Sequence, residues 1–452
     1  MMTSNFDLQH NAFGVHTGIS RQCRDDIDRI KDNSEHITSF ELSTQDAAQF
    51  SYMAWELLGR YIANNTNLEQ IKLNNCNFTN RKMALLFKEI TGSESLKKLD
   101  IDGNPIHNEF GIEGVRCMVP FLQNSPNFSI FNLVSNNNFD SECFDLLIRS
   151  LQGTAITDLS FHYCNIRDIS VFESYNLPKL RILCLVGNKI GREGCVTISN
   201  LLQKEGTTLA CLILMNAGID DEGTELLASS LKHNTKLEVI CLESNDGITE
   251  KGCKAFLKLV VDVSSIDSSY KSNHKLRVCR LINTDEHENE IQTLITSVCK
   301  ENEKRSSNKG REKVITYQLN SQNRKKLCRL QGIDYSPGNI FADIEPVLMP
   351  KVLSFIGVRH GKSELYTALI HTAPELLSYI DRKAKLNDIL TNNTAQIAAL
   401  TKQLARLTAQ NADIHRRLEL VELGDTKQLE NKEDTKQDER DKGGRSNKRQ
   451  RS

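Results

Sequence analysis

Several features that would mark a function are missing from this chain of 452 residues. No window approaches the roughly 18 consecutive apolar residues that a membrane-crossing helix requires. The opening MMTSNFDLQHNAFG lacks the charged-then-apolar run of a signal peptide. The 57 Lys+Arg balance 58 Asp+Glu, so there is no global basic excess of the kind a nucleic-acid binder carries. The 13 cysteines are odd in number, never spaced as C-x-x-C, and mostly set in apolar segments. They read as small buried hydrophobes in a reducing compartment, not as a disulfide or zinc framework. The expectation is a soluble intracellular protein with neither membrane nor nucleic acid as partner.

What is present is a repeat. Leu180, Leu183, Leu185, Asn188 and Ile190 fit the spacing L-x-x-L-x-L-x-x-N-x-I. The frame recurs at Leu68-Ile71-Leu73-Cys76-Phe78, Leu96-Leu99-Ile101-Asn104-Ile106, Ile156-Leu159-Phe161-Cys164-Ile166 and Leu209-Leu212-Leu214-Ala217-Ile219. Copies from Phe128 and Leu237 carry one extra residue after Asn136 and Asn245, and weaker copies begin at Ile37 and Leu276. Within each unit the apolar residues three and five places after the first share one side of a short strand. The Asn or Cys at the ninth place tucks beneath the coil, where it must satisfy neighbouring backbone groups. Ala217 cannot do so, which marks its repeat as the weakest rung. Between strands, Gly223 is followed by Leu226, Leu227 and Leu231, Gly252 by Ala255, Phe256 and Val260, and Gly114 by Cys117, Met118 and Leu122. Offsets of three, four and eight form one helical face.

A strand, a turn and a full helix per unit of about 28 residues resembles the ribonuclease-inhibitor type of leucine-rich repeat. The resemblance implies an α/β solenoid, a horseshoe with parallel strands inside and helices outside, over about eight repeats in residues 36–299. Residues 1–35 then form an N-terminal cap. Such repeats also occur in Ran GTPase-activating proteins, which would make this chain a GTPase regulator. Those proteins carry a long acidic stretch after the repeats, whereas here 300–313 (KENEKRSSNKGREK) is a polar, basic linker. They occur as well in innate-immune receptors, whose upstream nucleotide-binding domain would need more than the roughly 35 residues ahead of these repeats.

Beyond the linker, residues 314–372 regain apolar character and read as a helical module capping the solenoid's end. Residues 373–421 read as a coiled coil. With Leu390, Ile397, Leu404, Asn411 and Leu418 as a positions, the d positions are Leu386, Asn393, Leu400, Leu407, Ile414 and Val421. An asparagine at one a position favours a two-stranded parallel pair, so a homodimer held by Leu390, Ile397, Leu400, Leu404, Leu407, Asn411, Ile414 and Leu418 is expected. The other reading is an amphipathic helix folded back onto its own solenoid. The tail 422–452, with 8 acidic and 9 basic side chains in 31 residues, reads as disordered. Its basic cluster Arg445, Lys448, Arg449 and Arg451 suits a nuclear-import signal in an otherwise cytoplasmic protein.

Catalytic constellations are wanting, and no enzyme, cofactor or metal is expected. Gly357-Val-Arg-His-Gly361-Lys362-Ser363 has three residues between its glycines where a phosphate loop needs four. Cys164 fills the asparagine position of its repeat and faces inward, whereas His162 faces out, so the two cannot pair as a catalytic dyad. The helix QLARLTAQNADIHRRL resembles a leucine-zipper dimerisation helix, but HTAPELLSYIDRKAK before it lacks the continuous basic run that grips DNA.

The strand positions facing the hollow are more informative. In early repeats they are polar: Gln70, Lys72, Asn74, then Lys98, Asp100, Asp102. Later they become Ile182, Cys184, Val186, then Cys211, Ile213, Met215, then Val239, Cys241, Glu243. Eight apolar side chains in a lattice of nine mark an interface. Its occupant is either a partner protein or the chain's own 314–372 module or zipper helix. The function this implies is a non-enzymatic protein-binding scaffold using its concave face.

Overall fold

The computed structural model describes residues 12–13, 18–103, 110–175, 177–282, 289–303, 309–319, 321–335, 401, 405–413 and 415–417. The chain divides into two units, Met1–Asp343 and Ile344–Ser452.

In the first unit nine strands form one parallel, unclosed sheet in sequence order. They are β1 (Ser39–Leu42), β2 (Gln70–Asn74), β3 (Lys98–Asp102), β4 (Ile130–Val134), β5 (Asp158–His162), β6 (Ile182–Cys184), β7 (Cys211–Ile213), β8 (Val239–Cys241) and β9 (Val278–Arg280). Each begins two residues after the first apolar residue of a sequence repeat, the weak copies at Ile37 and Leu276 included. A helix or helical turn separates successive strands, as parallel neighbours require a crossover. The sheet is thus the repeat made visible, with nine rungs.

Burial alternates along each strand. On β2, Ile71 and Leu73 are buried while Gln70, Lys72 and Asn74 are not. The buried set joins the helix residues in one continuous core. On the helices the offset-four and offset-eight residues, Met118 and Leu122, Leu227 and Leu231, Phe256 and Val260, are buried. The offset-three residues Cys117, Leu226 and Ala255 are half-buried at the edge of that face. Around β4 and β5 the core is aromatic: Phe161 has Phe131, Phe139 and Phe144 within ring-centroid distances of 5.9, 5.4 and 5.2 Å. The crossover there is a single turn, Val171–Ser174, so rings fill volume that a longer helix fills elsewhere.

The ninth-place side chains do satisfy backbone, and they reach backwards. Asn245 Nδ2 donates to Leu214 O and Leu242 O, while its Oδ1 accepts from the amides of Ala217 and Ile219. Asn188 likewise donates to Phe161 O and Val186 O and accepts from Ile166 N. Cys164 keeps half of this pattern: its thiol lies 3.9 Å from Leu133 O and 3.6 Å from His162 O. Because Asn188, Asn245 and Cys164 serve the coil before their own, whereas Asn136 donates to Val134 O of its own coil, the expectation for Ala217 is corrected. Its amide is held by Asn245, and the support that Ala217 fails to give is lost by the coil that begins at Leu180.

A second ladder lies where helices turn into strands, three residues before each unit's first apolar residue. Asn65, Asn234 and Asn273 each accept two amides of the following turn and donate back to a carbonyl of the preceding coil: Ile30 O, Leu202 O and Leu231 O.

At the amino-terminal end, the helix Arg21–Lys31 buries Cys23, Ile27 and Ile30, with Ser20 capping it. At the other end, the described residues of the expected linker, 300–303 and 309–313, are helical. The helix Glu290–Glu303 runs into them, and Lys309–Lys313 is helical. Lys313 is buried, its ammonium donating to Val260 O at 2.6 Å and Asn273 O at 2.5 Å. Charge count alone marked it as solvated. Its aliphatic stem lies in the core, and its head meets the carbonyl end of the helix Glu250–Val260, where the helix dipole favours a cation. A π-helical stretch, Val314–Leu319, and the helix Ser321–Gln331 follow. Gln331 joins them to the segment that follows the helix Glu250–Val260 by donating to Val261 O and accepting from Val263 N. Residues 336–372 of the expected module lie outside the described residues.

All 13 cysteines are free and 11 are buried. Burial pushes the thiols of Cys76, Cys164, Cys195 and Cys299 up to about 12, from an ordinary 9.0. A thiol that ionises in the unfolded chain but stays protonated when folded gives stability that is whole below pH 9 and drains as pH climbs toward 12. Each such thiol removes up to about 1.4 kcal/mol per pH unit. Lys313, lowered by burial to about 7, acts in the opposite sense between pH 7 and 10.5, but it is one group against many. A urea series is expected to show stability falling steeply above pH 9, and a flat profile from pH 8 to 10.5 would refute the account. In the same assay at pH 7, Asn245→Ala, which orphans buried backbone groups, costs about 3 kcal/mol, and Cys164→Ala about 1 kcal/mol. Equal costs would show that the back-reaching bonds are not what matters.

Candidate protein-binding face

Along each strand the residues that avoid the helices form the open face of the sheet, and register aligns them across strands. Ile182, Cys211, Val239 and Val278 are successive partners in one row, and Cys184, Ile213, Cys241 and Arg280 in the next. A third row continues beyond the strand ends, where Gly187 N donates to Met215 O and Asn216 N to Glu243 O. All nine residues expected to line the hollow therefore lie together. Cys184 and Cys241 are buried at 3% and 9% exposure, and Ile182, Val186, Cys211, Ile213, Met215, Val239 and Glu243 are half-buried. Small thiols lie flat between larger neighbours, so the exposed relief is made by Ile182, Ile213, Val239 and Met215.

The face changes character along the sheet. On β2 and β3 it is a polar network: Lys98 Nζ is 2.9 Å from Asp100 Oδ2, Gln70 donates to Asp100, and Asn132 donates to its other oxygen. Asp102, next in the third row, is exposed and has no ion-pair partner among the described residues. Glu243, at the far side of the apolar lattice, is 4.0 Å from Arg280.

His162 and Cys164 do face opposite sides, because the strand ends at His162 and the left-handed backbone of Tyr163 breaks its alternation. Cys164 lies in the core at 7% exposure, whereas His162 faces the open side and places Nε2 3.1 Å from the Cys184 Sγ. No motif marks this contact, because the two residues are 22 positions apart and only the strand register joins them. Burial pushes the Cys184 thiol up to about 11 and the His162 imidazole below its ordinary value. Both are neutral near pH 7, so the pair is a thiol–imidazole hydrogen bond in a surface lattice, not an activated nucleophile.

Tyr163 was also missed. It is exposed at 52% with a left-handed backbone, φ +51°. Equivalent turns use Asn75, Ser135, Gly187, Asn216 and Ser244, also at positive φ. A bulky ring where the others are small was the visible signal. The ring lies over Gly187, where an added Cβ would come within 2.3 Å of its Cδ1.

In the second unit, Leu407 and Asn411 lie within a helical segment, residues 405–413, and both are exposed. Leu390, Ile397, Leu400, Leu404, Ile414 and Leu418 lie outside the described residues. Among the described residues, no group of His, Cys, Asp and Glu is disposed to hold a metal. No described helix is long and apolar enough to cross a membrane.

No family profile matches the chain. The chain is similar to the human NACHT, LRR and PYD domains-containing protein 5, 38% identical over 68 residues, which are 15% of this chain and 6% of that protein. It is similar also to the mouse NACHT, LRR and PYD domains-containing protein 12, 25% identical over 218 residues, 46% of this chain and 20% of that protein. The chain thus spans a fifth or less of the curated relatives it matches. Among solved structures, a chain of the yeast Rad7 and Elc1 complex aligns at 11% identity over 58% of this chain and 75% of its own length, with a TM-score of 0.33.

Proposed function

We propose that this protein is a non-enzymatic scaffold of ribonuclease-inhibitor-like leucine-rich repeats that binds another protein on the open face of its sheet. Ile182, Cys184, Val186, Cys211, Ile213, Met215, Val239, Cys241 and Glu243 form the contact. The observation that carries the reading is the half-exposed apolar lattice of β6–β8, set beside a polar, hydrogen-bonded face on β2 and β3. Apolar relief of this extent on the side of a sheet away from its core gains most when a partner removes it from water. The names of the relatives, which join LRR segments to other domains, fit a repeat used for recognition. The coiled coil of residues 373–421 pairs two chains, and exposed Leu407 within a helical segment is consistent with a partner helix covering it.

Both parts are open to test on the full chain. Ile213→Asp places a charge in the centre of the lattice. The expected outcome is a melting temperature within about 2 °C of the parent with binding on this face abolished. A fall of more than about 8 °C would mean that the side chain is core, and the reading would be lost. For the pairing, light scattering is expected to give about twice the 51.1 kDa chain mass, reverting to one chain mass with Leu400→Asp and Leu407→Asp together. A monomeric parent excludes it.

A further inference from the structure

The third row of the open face forms a rim with its own logic. Backbone amides just past the strand ends step across the sheet: Gly103 N to Val134 O, Ser135 N to His162 O, Tyr163 N to Val186 O, Gly187 N to Met215 O and Asn216 N to Glu243 O. This ladder fixes the order of side chains along the rim. Asp102 stands at one end and Glu243 at the other, with Val134, His162 and Met215 between, and Tyr163 rises beside them.

Two observations single out this rim. The first is Tyr163. A left-handed backbone is a poor place for a bulky side chain, and the equivalent turns use asparagine, serine or glycine. Strain of this kind persists where the side chain has a use. The ring is not in the core, where packing would repay it. It is half exposed, and tyrosine is among the residues that anchor interfaces most strongly. The second is charge. Between β3 and β8 the open face carries one lysine, Lys98, already paired with Asp100, against four carboxylates: Asp100, Asp102, Asp158 and Glu243. His162, neutral near pH 7, adds nothing. Among the described residues, the ion pair of Glu243 lies outside this stretch, with Arg280 of β9. The surplus is negative, and it brackets the apolar middle.

We propose that this rim, centred on Tyr163, docks a cationic amphipathic segment of a partner protein, with apolar anchors over His162, Tyr163 and Met215 and a Lys or Arg at each end for Asp102 and Glu243. The inference deepens the scaffold reading and rests on it. Five strand spacings of about 4.8 Å put the two carboxylates about 24 Å apart. A segment of about 16 helical residues covers that span. Carboxylates at the edges add orientation and on-rate more than raw affinity, and their contribution is screened by salt.

The experiment pans a phage library of random 20-residue peptides on the intact protein and measures the affinity of the consensus peptide by fluorescence anisotropy. The expected consensus has basic residues on both sides of an apolar stretch. Its Kd is expected to rise at least fivefold with Tyr163→Asn and with Asp102→Asn plus Glu243→Gln, and to rise with added salt. Tyr163→Asn is also expected to melt at or above the parent temperature, since asparagine relieves the strained turn. A structural role for the ring predicts the opposite. An acidic or uncharged consensus, the absence of any consensus, or a Kd unmoved by these substitutions overturns the inference. Binding lost in Ile213→Asp but kept in Tyr163→Asn overturns the rim alone, whereas binding indifferent to Ile213→Asp overturns the scaffold reading with it. A synthetic peptide of residues 396–418 is assayed beside the consensus. If it binds and no library peptide does, the occupant is this chain's own segment or a second copy, and the proposal of a separate partner fails.

Discussion

Everything in the first unit depends on buried backbone being satisfied from one coil to the next. A parallel sheet with a crossover at every step leaves amides and carbonyls inside each turn that neither strand nor helix pairing can reach, and burying them bare costs more than any single packing contact returns. The chain meets this with side chains that reach backwards. Asn188 and Asn245 serve the strand-to-helix turns, and Asn65, Asn234 and Asn273 the helix-to-strand turns. Hydrophobic burial supplies most of the driving force. The asparagines decide that the burial occurs with this stagger and not another, because only one register places each amide group between its two carbonyls.

The same constraint shapes the open face. Once register is fixed, residues separated by a whole repeat become neighbours, so surface character is written down columns of the sequence rather than along it. That is how three short apolar triplets, each unremarkable on its strand, merge into one lattice, and how His162 comes within hydrogen-bonding distance of Cys184. The polar network around Asp100 is built likewise from Gln70, Lys98 and Asn132 on three strands. The two halves therefore differ in kind: one is tied up by a network of its own hydrogen bonds, the other is mostly apolar, with polar contacts at its edges, from Cys184 to His162 and from Glu243 to Arg280.

Much of this was legible beforehand, for a physical reason. Repeat spacing is a period-two and period-3.6 pattern, and the residues that carry it are the buried ones, so strand starts, helix faces and the nine face residues could be placed by counting. Besides Tyr163 and the His162–Cys184 contact, three features of the coil interior escaped. The direction in which Asn245 bonds, which relocates the weakness at Ala217, depends on coil stacking that no single repeat encodes. The burial of Lys313 depends on a carbonyl pair contributed by Val260 and Asn273, forty or more residues away. The ladder of Asn65, Asn234 and Asn273 was hidden because serine, glycine or leucine replaces asparagine at the same place in other repeats, as Ser93, Gly153 and Leu177 do, and a position that varies is not read as a motif.

Tyr163 stands out because a repeat protein carries its own comparison. Each repeat is an internal control for the others, subject to the same backbone demand at the same position. Asn75, Ser135, Gly187, Asn216 and Ser244 meet the left-handed turn with Asn, Ser or Gly, and Tyr163 meets it at a defined local cost: a Cβ in the left-handed region, with a ring that forbids any side chain at Gly187. The fold gains nothing that Asn or Gly would not give. Half of the ring is exposed to solvent, so any compensation for that cost has to come from outside the chain.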